Sequence, residues 1–124
     1  MANRRRVLAW IALLGGSAVL LAGARSSAQD QAPSRRDFNV TARRYSFAPS
    51  RIEVREGDIV RLTVAAEDIA HSFTVDEYRI AKRAAPGQPV TFEFRADRRG
   101  TFRIYCNLQQ DDGCRNMHGE LVVQ

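Results

Sequence analysis

Apolar side chains recur at every second position along much of this chain, in short runs separated by turn residues. Phe38, Val40 and Ala42 alternate with polar neighbours. Ile52 and Val54 follow the turn at Pro49-Ser50, and Val60, Leu62 and Val64 follow Gly57-Asp58. Val90, Phe92 and Phe94 follow Pro86-Gly87, Phe102 and Ile104 follow Gly100, and Leu121 to Val123 closes the chain. A period of two places alternate side chains on one face of a strand, where they can share a core. Repeated this often between turn signals, it points to an all-β sandwich or barrel. No stretch of this part carries a helical stripe. Ile69 to Ala85 is the least regular region and is expected to hold a loop or one helical turn, and Asp111-Asp112-Gly113 is expected to form a polar turn.

The first residues follow a different logic. Asn3-Arg4-Arg5-Arg6 is a basic start, Val7 to Ala24 is uncharged and apolar, and Ser26-Ser27-Ala28 supplies small residues for cleavage before Gln29. That layout reads as a secretory signal over residues 1–28. The rival reading is an uncleaved N-terminal anchor, since the apolar run approaches the ~20 residues that span a bilayer. Residues 29–37, with Pro33 and Ser34 and no periodicity, read as a short tether, leaving 38–124 as one domain. The chain as a whole carries a formal net charge of +5. Residues 1–28 hold four of its nineteen cations (Arg4, Arg5, Arg6, Arg25) and none of its fourteen acids, so the remainder is near neutral, fifteen cations against fourteen acids. The basicity belongs to the export signal, which removes nucleic acid as an expected partner. Membrane contact is expected only through an uncleaved N-terminal segment, and the expected location is the periplasm or another exported compartment.

Strand phase carries the first chemical signal. Counting on from Phe102 and Ile104, the next inward position is Cys106; counting back from Val75 and Phe73, it is His71. Taken singly, His71 reads as an ordinary half-buried histidine and Cys106 as a small buried hydrophobe. A nitrogen and a sulfur donor meeting at one end of a β-sandwich suit copper.

The chain also resembles a known family. Arg51-Ile52-Glu53-Val54-Arg55-Glu56-Gly57-Asp58, Ala70-His71-Ser72-Phe73, Pro86-Gly87 and Gly100 to Cys106 are similar, in order and spacing, to the cupredoxin superfamily, which implies a Greek-key β-sandwich or barrel. The segment from Tyr105 to Val123 looks most like the Cu-A domains of cytochrome c oxidase subunit II and nitrous-oxide reductase, whose loop reads C-x3-C-x3-H-x2-M. Cys106 falls on the first Cys of that motif and Met117 on its Met, with His118-Gly119-Glu120-Leu121-Val122-Val123 following in register. Gln110 stands where the family has its second bridging Cys, and Cys114 where it has a second histidine. Leu108 takes the position whose backbone carbonyl caps one copper. Without the second bridging thiolate, a binuclear Cu-A centre is not expected.

Three readings follow from the resemblance. In the first, His71, Cys106, Cys114 and Met117 hold one copper ion, a soft donor set that favours Cu(I) and also suits Zn²⁺. In the second, Cys106 and Cys114 form a disulfide, leaving a metal-free binding or structural module. In the third, His118 turns inward as a second imidazole, although adjacent residues in an extended segment point oppositely and Met117 and His118 would then compete. Gln110 reads as a solvated loop residue before it reads as a ligand. The expected function is one-electron transfer or copper handling near a respiratory chain, with a redox protein such as a cytochrome or oxidase as partner. Catalysis is not expected, because no nucleophile–base arrangement and no open zinc motif is present.

Overall fold

The computed structural model describes residues 33–109 and 112–124; the expected signal at 1–28, residues 29–32 of the expected tether and Gln110 lie outside the described residues. Nine strands are described: β1 (Arg35–Arg43), β2 (Ser46–Ala48), β3 (Arg51–Val54), β4 (Ile59–Ala66), β5 (His71–Val75), β6 (Ile80–Ala84), β7 (Val90–Arg95), β8 (Gly100–Tyr105) and β9 (His118–Val123). A 3-10 turn covers Asp76–Tyr78, and a five-residue helix, α1, covers Asp112–Asn116. The strands form two sheets, β2-β1-β4-β7 and β3-β9-β8-β5-β6. Neighbours remote in sequence lie side by side: β1 runs parallel to β4, β3 parallel to β9, and β8 antiparallel to both β5 and β9. The fold is an all-β Greek-key sandwich.

The alternation in the sequence is the burial pattern of the sheets. Val40 and Ala42 of β1, Ile52 and Val54 of β3, Val60, Leu62, Val64 and Ala66 of β4, and Phe102 and Ile104 of β8 are buried in one core, with Phe92 and Phe94 packed against it. Phe73 stands at its centre, its ring 5.8 Å from both Phe47 and Phe92. Burying aromatic side chains of this size gives the largest single contributions to a small core.

Three expectations are corrected. Arg35 to Asp37 belong to β1 rather than to a tether, because their backbones pair with Ile59 to Arg61 of β4. Ser34 strengthens that attachment: its carbonyl accepts the Ile59 N–H, and its hydroxyl donates to the buried Asp58 at 3.0 Å. The irregular stretch from Ile69 to Ala85 holds two paired strands, β5 and β6, joined by the 3-10 turn. Its weak alternation has a physical cause: Ser72 and Thr74 on the second face of β5 are buried as well, with their hydroxyls bonded to each other at 3.0 Å. Finally, Asp112 and Gly113 lie in α1, where the Asn116 amide donates to the Asp112 carbonyl and Arg115 sits 3.7 Å from the Asp112 carboxylate.

Candidate metal centre

The candidate residues come from three segments that the sheet brings to one end of the sandwich. His71 opens β5, Cys106 follows the last residue of β8, and Cys114 and Met117 come from α1 and the residue before β9. Strands β8 and β9 are held in register by pairs such as Ile104↔Gly119 and Tyr105↔His118. Gly119 is required here, since a Cβ on it would collide with the Ser50 carbonyl oxygen that accepts the Glu120 N–H.

All four side chains are inside. His71 is 1% exposed, Cys106 3%, Cys114 4% and Met117 0%. The two cysteines are joined as a disulfide across an eight-residue separation. The structure therefore shows the pairing that the sequence left open as its second reading, and in this state neither sulfur is a thiolate. Cys106 is tied to β5 through Ser72, whose N–H points at its Sγ from 3.4 Å and whose hydroxyl accepts the Asn107 N–H at 2.7 Å. Ser72 thus grips both residues at the start of the loop, directly beside His71 in the chain. Met117 is linked to Cys114 by its N–H, which donates to the Cys114 carbonyl at 3.3 Å.

His71 is held from one side only. Its Nε2 lies 3.0 Å from Oδ1 of Asp68. Asp68 also accepts the Arg44 N–H on Oδ2 at 2.8 Å and the Ile69 N–H on Oδ1 at 2.7 Å. The Arg44 bond does most to hold the Asp68 carboxyl far below the usual carboxylate range; partial desolvation opposes it, and the bonds from His71 and Ile69 add to it. The other ring nitrogen of His71, Nδ1, is buried and has no hydrogen-bond partner. Buried polar atoms are nearly always satisfied, so an orphan at this position calls for a ligand or a function.

The remaining candidates are placed apart from this group. His118 faces solvent, its Nδ1 2.9 Å from the Asn116 carbonyl, so the third reading is not what the fold provides. Leu108 is half-buried and lines a solvent-open groove of about 360 Å³ with Arg103, Tyr105, Cys106 and Arg115. Gln110 lies outside the described residues. Among the described residues, no three His, Cys, Asp or Glu side chains form a metal-binding group. The fit to copper is therefore conditional on redox state. The orphaned Nδ1 and the buried thioether suit a soft metal as they stand, and the two sulfurs suit one once the disulfide is reduced. Asp68 is the residue that the sequence reading missed. Its spacing of three residues before His71 was visible, but the carboxylate carries no pattern that separates it from an ordinary loop acid.

The fold and this arrangement define a cupredoxin. The family model described as a cupredoxin-like domain matches residues 10–123, and the chain belongs to that family. It is 30% identical over 92 residues to cytochrome c oxidase subunit 2 of Thermus thermophilus, a match covering 74% of this chain and 68% of that protein. Against the subunit 2 of another Thermus thermophilus strain, the same 92-residue match covers 55% of the relative, so the chain spans about half to two-thirds of these relatives. Among solved structures, it resembles the periplasmic domain of subunit II of cytochrome oxidase (CoxB) of Bradyrhizobium japonicum. That likeness has a TM-score of 0.64 at 15% identity, over 71% of this chain and 83% of that one. A CoxB periplasmic domain caught in a mixed disulfide with a thioredoxin-like protein matches with a TM-score of 0.60 at 16% identity, over 71% and 80%. Auracyanin A, a "blue" copper protein of Chloroflexus aurantiacus, matches with a TM-score of 0.60 at 14% identity, over 73% and 99%.

Proposed function

We propose that this chain is an exported, redox-gated copper protein that handles copper or passes single electrons near a membrane respiratory chain. The observation that carries the reading is the buried His71 Nδ1 with no partner, at the end of the core that also buries Cys106, Cys114 and Met117. In the oxidised form the sulfurs are locked to each other. Reduction by a dithiol breaks the S–S bond, adds two electrons and two protons to give two thiols, and leaves the reductant as its own disulfide. The thiols can then lose their protons to a bound metal. His71, Cys106, Cys114 and Met117 would hold one copper ion, which supplies a one-electron couple when bound. The protein excludes water from the four donors by burying them, fixes His71 through Asp68, and fixes Cys106 through Ser72. A thioredoxin-like partner for the reduction is in keeping with the mixed disulfide formed by a subunit II domain. A cytochrome or oxidase as electron partner is in keeping with the subunit 2 relatives. Among the described residues no helix is long and apolar enough to cross a membrane, so any anchoring rests with the segment before them.

A second reading has its own support. The disulfide itself favours a metal-free module in which the Cys106–Cys114 bridge only stabilises the loop. One preparation separates the two. The mature domain is isolated from copper-supplemented periplasm, and bound metal and free thiols are counted. Stoichiometric copper with a thiolate-to-copper absorption band in the oxidised-metal form supports the first reading. Metal-free protein with no titratable thiol, which still takes up no Cu(I) after reduction, supports the second.

A further inference from the structure

The Asp68 carboxylate is the most heavily engaged side chain near the candidate centre, and its bonds come from three separate backbone positions. Arg44, between β1 and β2, donates its N–H to Oδ2; Ile69, between β4 and β5, donates its N–H to Oδ1; and His71 meets Oδ1 through Nε2. Two main-chain donors from different loops fix the carboxylate, so it is a rigid reference for the imidazole rather than a mobile counter-charge. An ionised carboxylate only accepts hydrogen bonds, which requires Nε2 to carry a proton. A half-turn of the ring would bring a carbon to Asp68 and lose that bond. With Nε2–H committed, Nδ1 of the neutral ring is a bare lone pair. That atom is buried and unpartnered, and a proton placed there would find no acceptor among the described residues.

We propose that Asp68 is a positioning residue that locks His71 in the Nε2–H tautomer and so presents a preformed, buried Nδ1 lone pair to a soft metal ion. The part that concerns metal rests on the copper reading above; the tautomer does not. Carboxylate partners of ligating histidines act in this way in general, fixing ring orientation and raising ligand basicity. Nothing else among the described residues holds the imidazole polar atoms, so the effect of removing Asp68 should be large and specific to His71.

The test uses the reduced, metal-free protein with ¹⁵N-labelled histidine, observed by long-range ¹⁵N–¹H correlation. The expected wild-type spectrum shows His71 with a protonated Nε2 and a bare Nδ1. Asp68→Ala should release the ring to a mixture of tautomers and weaken Cu(I) binding, titrated with the ion against a competing chromophoric chelator, by about 10–100-fold. Asp68→Asn keeps an amide oxygen able to accept Nε2–H, and should retain the wild-type tautomer and most of the affinity. If Asp68→Ala does not fold, the wild-type spectrum and Asp68→Asn still decide the matter. A bare Nε2 in the wild type overturns the proposal, as does an unchanged tautomer in Asp68→Ala. Equal Cu(I) affinity in wild type and Asp68→Ala overturns the positioning role and leaves the copper reading standing. The expected tautomer with no Cu(I) uptake by any variant overturns the copper reading and the metal half of the proposal together, and upholds the tautomer lock.

Discussion

Reduction of the Cys106–Cys114 bridge should destabilise the domain by a predictable amount, and copper should restore it. The bridge closes a separation of eight residues. By the chain-entropy estimate, a loop that short contributes about 2.5 kcal/mol at 25 °C. For a domain of this size, a loss of that order lowers the melting temperature by roughly 10–20 °C. Both cysteines are buried, so the reductant must reach them in unfolded chain, which is then refolded without oxygen. Scanning calorimetry compares oxidised protein, reduced protein, and reduced protein with Cu(I) buffered at a hundredfold over its dissociation constant. At that excess the bound ion returns about 2.7 kcal/mol, enough to bring the melting temperature back to the oxidised value. The Cys106→Ala, Cys114→Ala double variant should melt with the reduced protein or below it and show no recovery. A melting temperature that ignores reduction would refute the stabilising bridge. A reduced protein that Cu(I) leaves unmoved would refute the shared metal site.

Other outcomes follow from the same packing and charges. Phe73→Ala removes a ring that touches Phe47 and Phe92 at the centre of the core, and should cost about 3–5 kcal/mol in urea unfolding. Gly119→Ala drives a methyl into the Ser50 carbonyl and should cost about 1–3 kcal/mol, with the β8–β9 amides losing hydrogen-exchange protection first. The Asp58 carboxyl is pushed up by burial, but bonds from the Arg55 N–H and from Ser34, with the nearby Arg36, more than offset this and hold it below its ordinary value of 3.8. Below that ordinary value the unfolded chain takes up a proton that the native carboxylate resists, so the stabilisation is present above about pH 4 and fades as pH falls through the lowered native value. Asp58→Asn should therefore flatten the acid limb of the stability–pH curve relative to wild type. An identical acid limb in the variant would show that Asp58 is not the group responsible.

The fold was legible wherever one strand face was buried and the other wet. Phe38 to Ala42, Ile52 to Val54, Val60 to Val64 and Phe102 to Ile104 all sit inside as their alternation predicts. Sequence alternation failed where that contrast was absent. Strand β5 buries both faces, since Ser72 and Thr74 satisfy each other and the Asn107 N–H, so its pattern does not alternate. The start of β1 was read as a tether because Arg35-Arg36-Asp37 looks like a solvated stretch. Its place in the sheet depends on pairing with β4, twenty-four residues on. At the candidate centre, the inward phase of His71 and Cys106 and the register of Met117 could be read directly. The choice between a metal and a disulfide could not, because both need two sulfurs within bonding reach. Asp68 was invisible for a related reason: its role depends on two backbone donors, and main-chain N–H groups leave no trace in residue identity.

The most direct measurement is copper X-ray absorption on the reduced protein loaded anaerobically with one equivalent of Cu(I). Sulfur scattering together with the multiple-scattering pattern of one imidazole is expected, with the imidazole pattern lost in His71→Ala and the sulfur contribution reduced in Cys114→Ser. An ion bound without sulfur, or a spectrum unchanged by both substitutions, would place copper elsewhere and leave the buried Nδ1 of His71 without the metal role given to it.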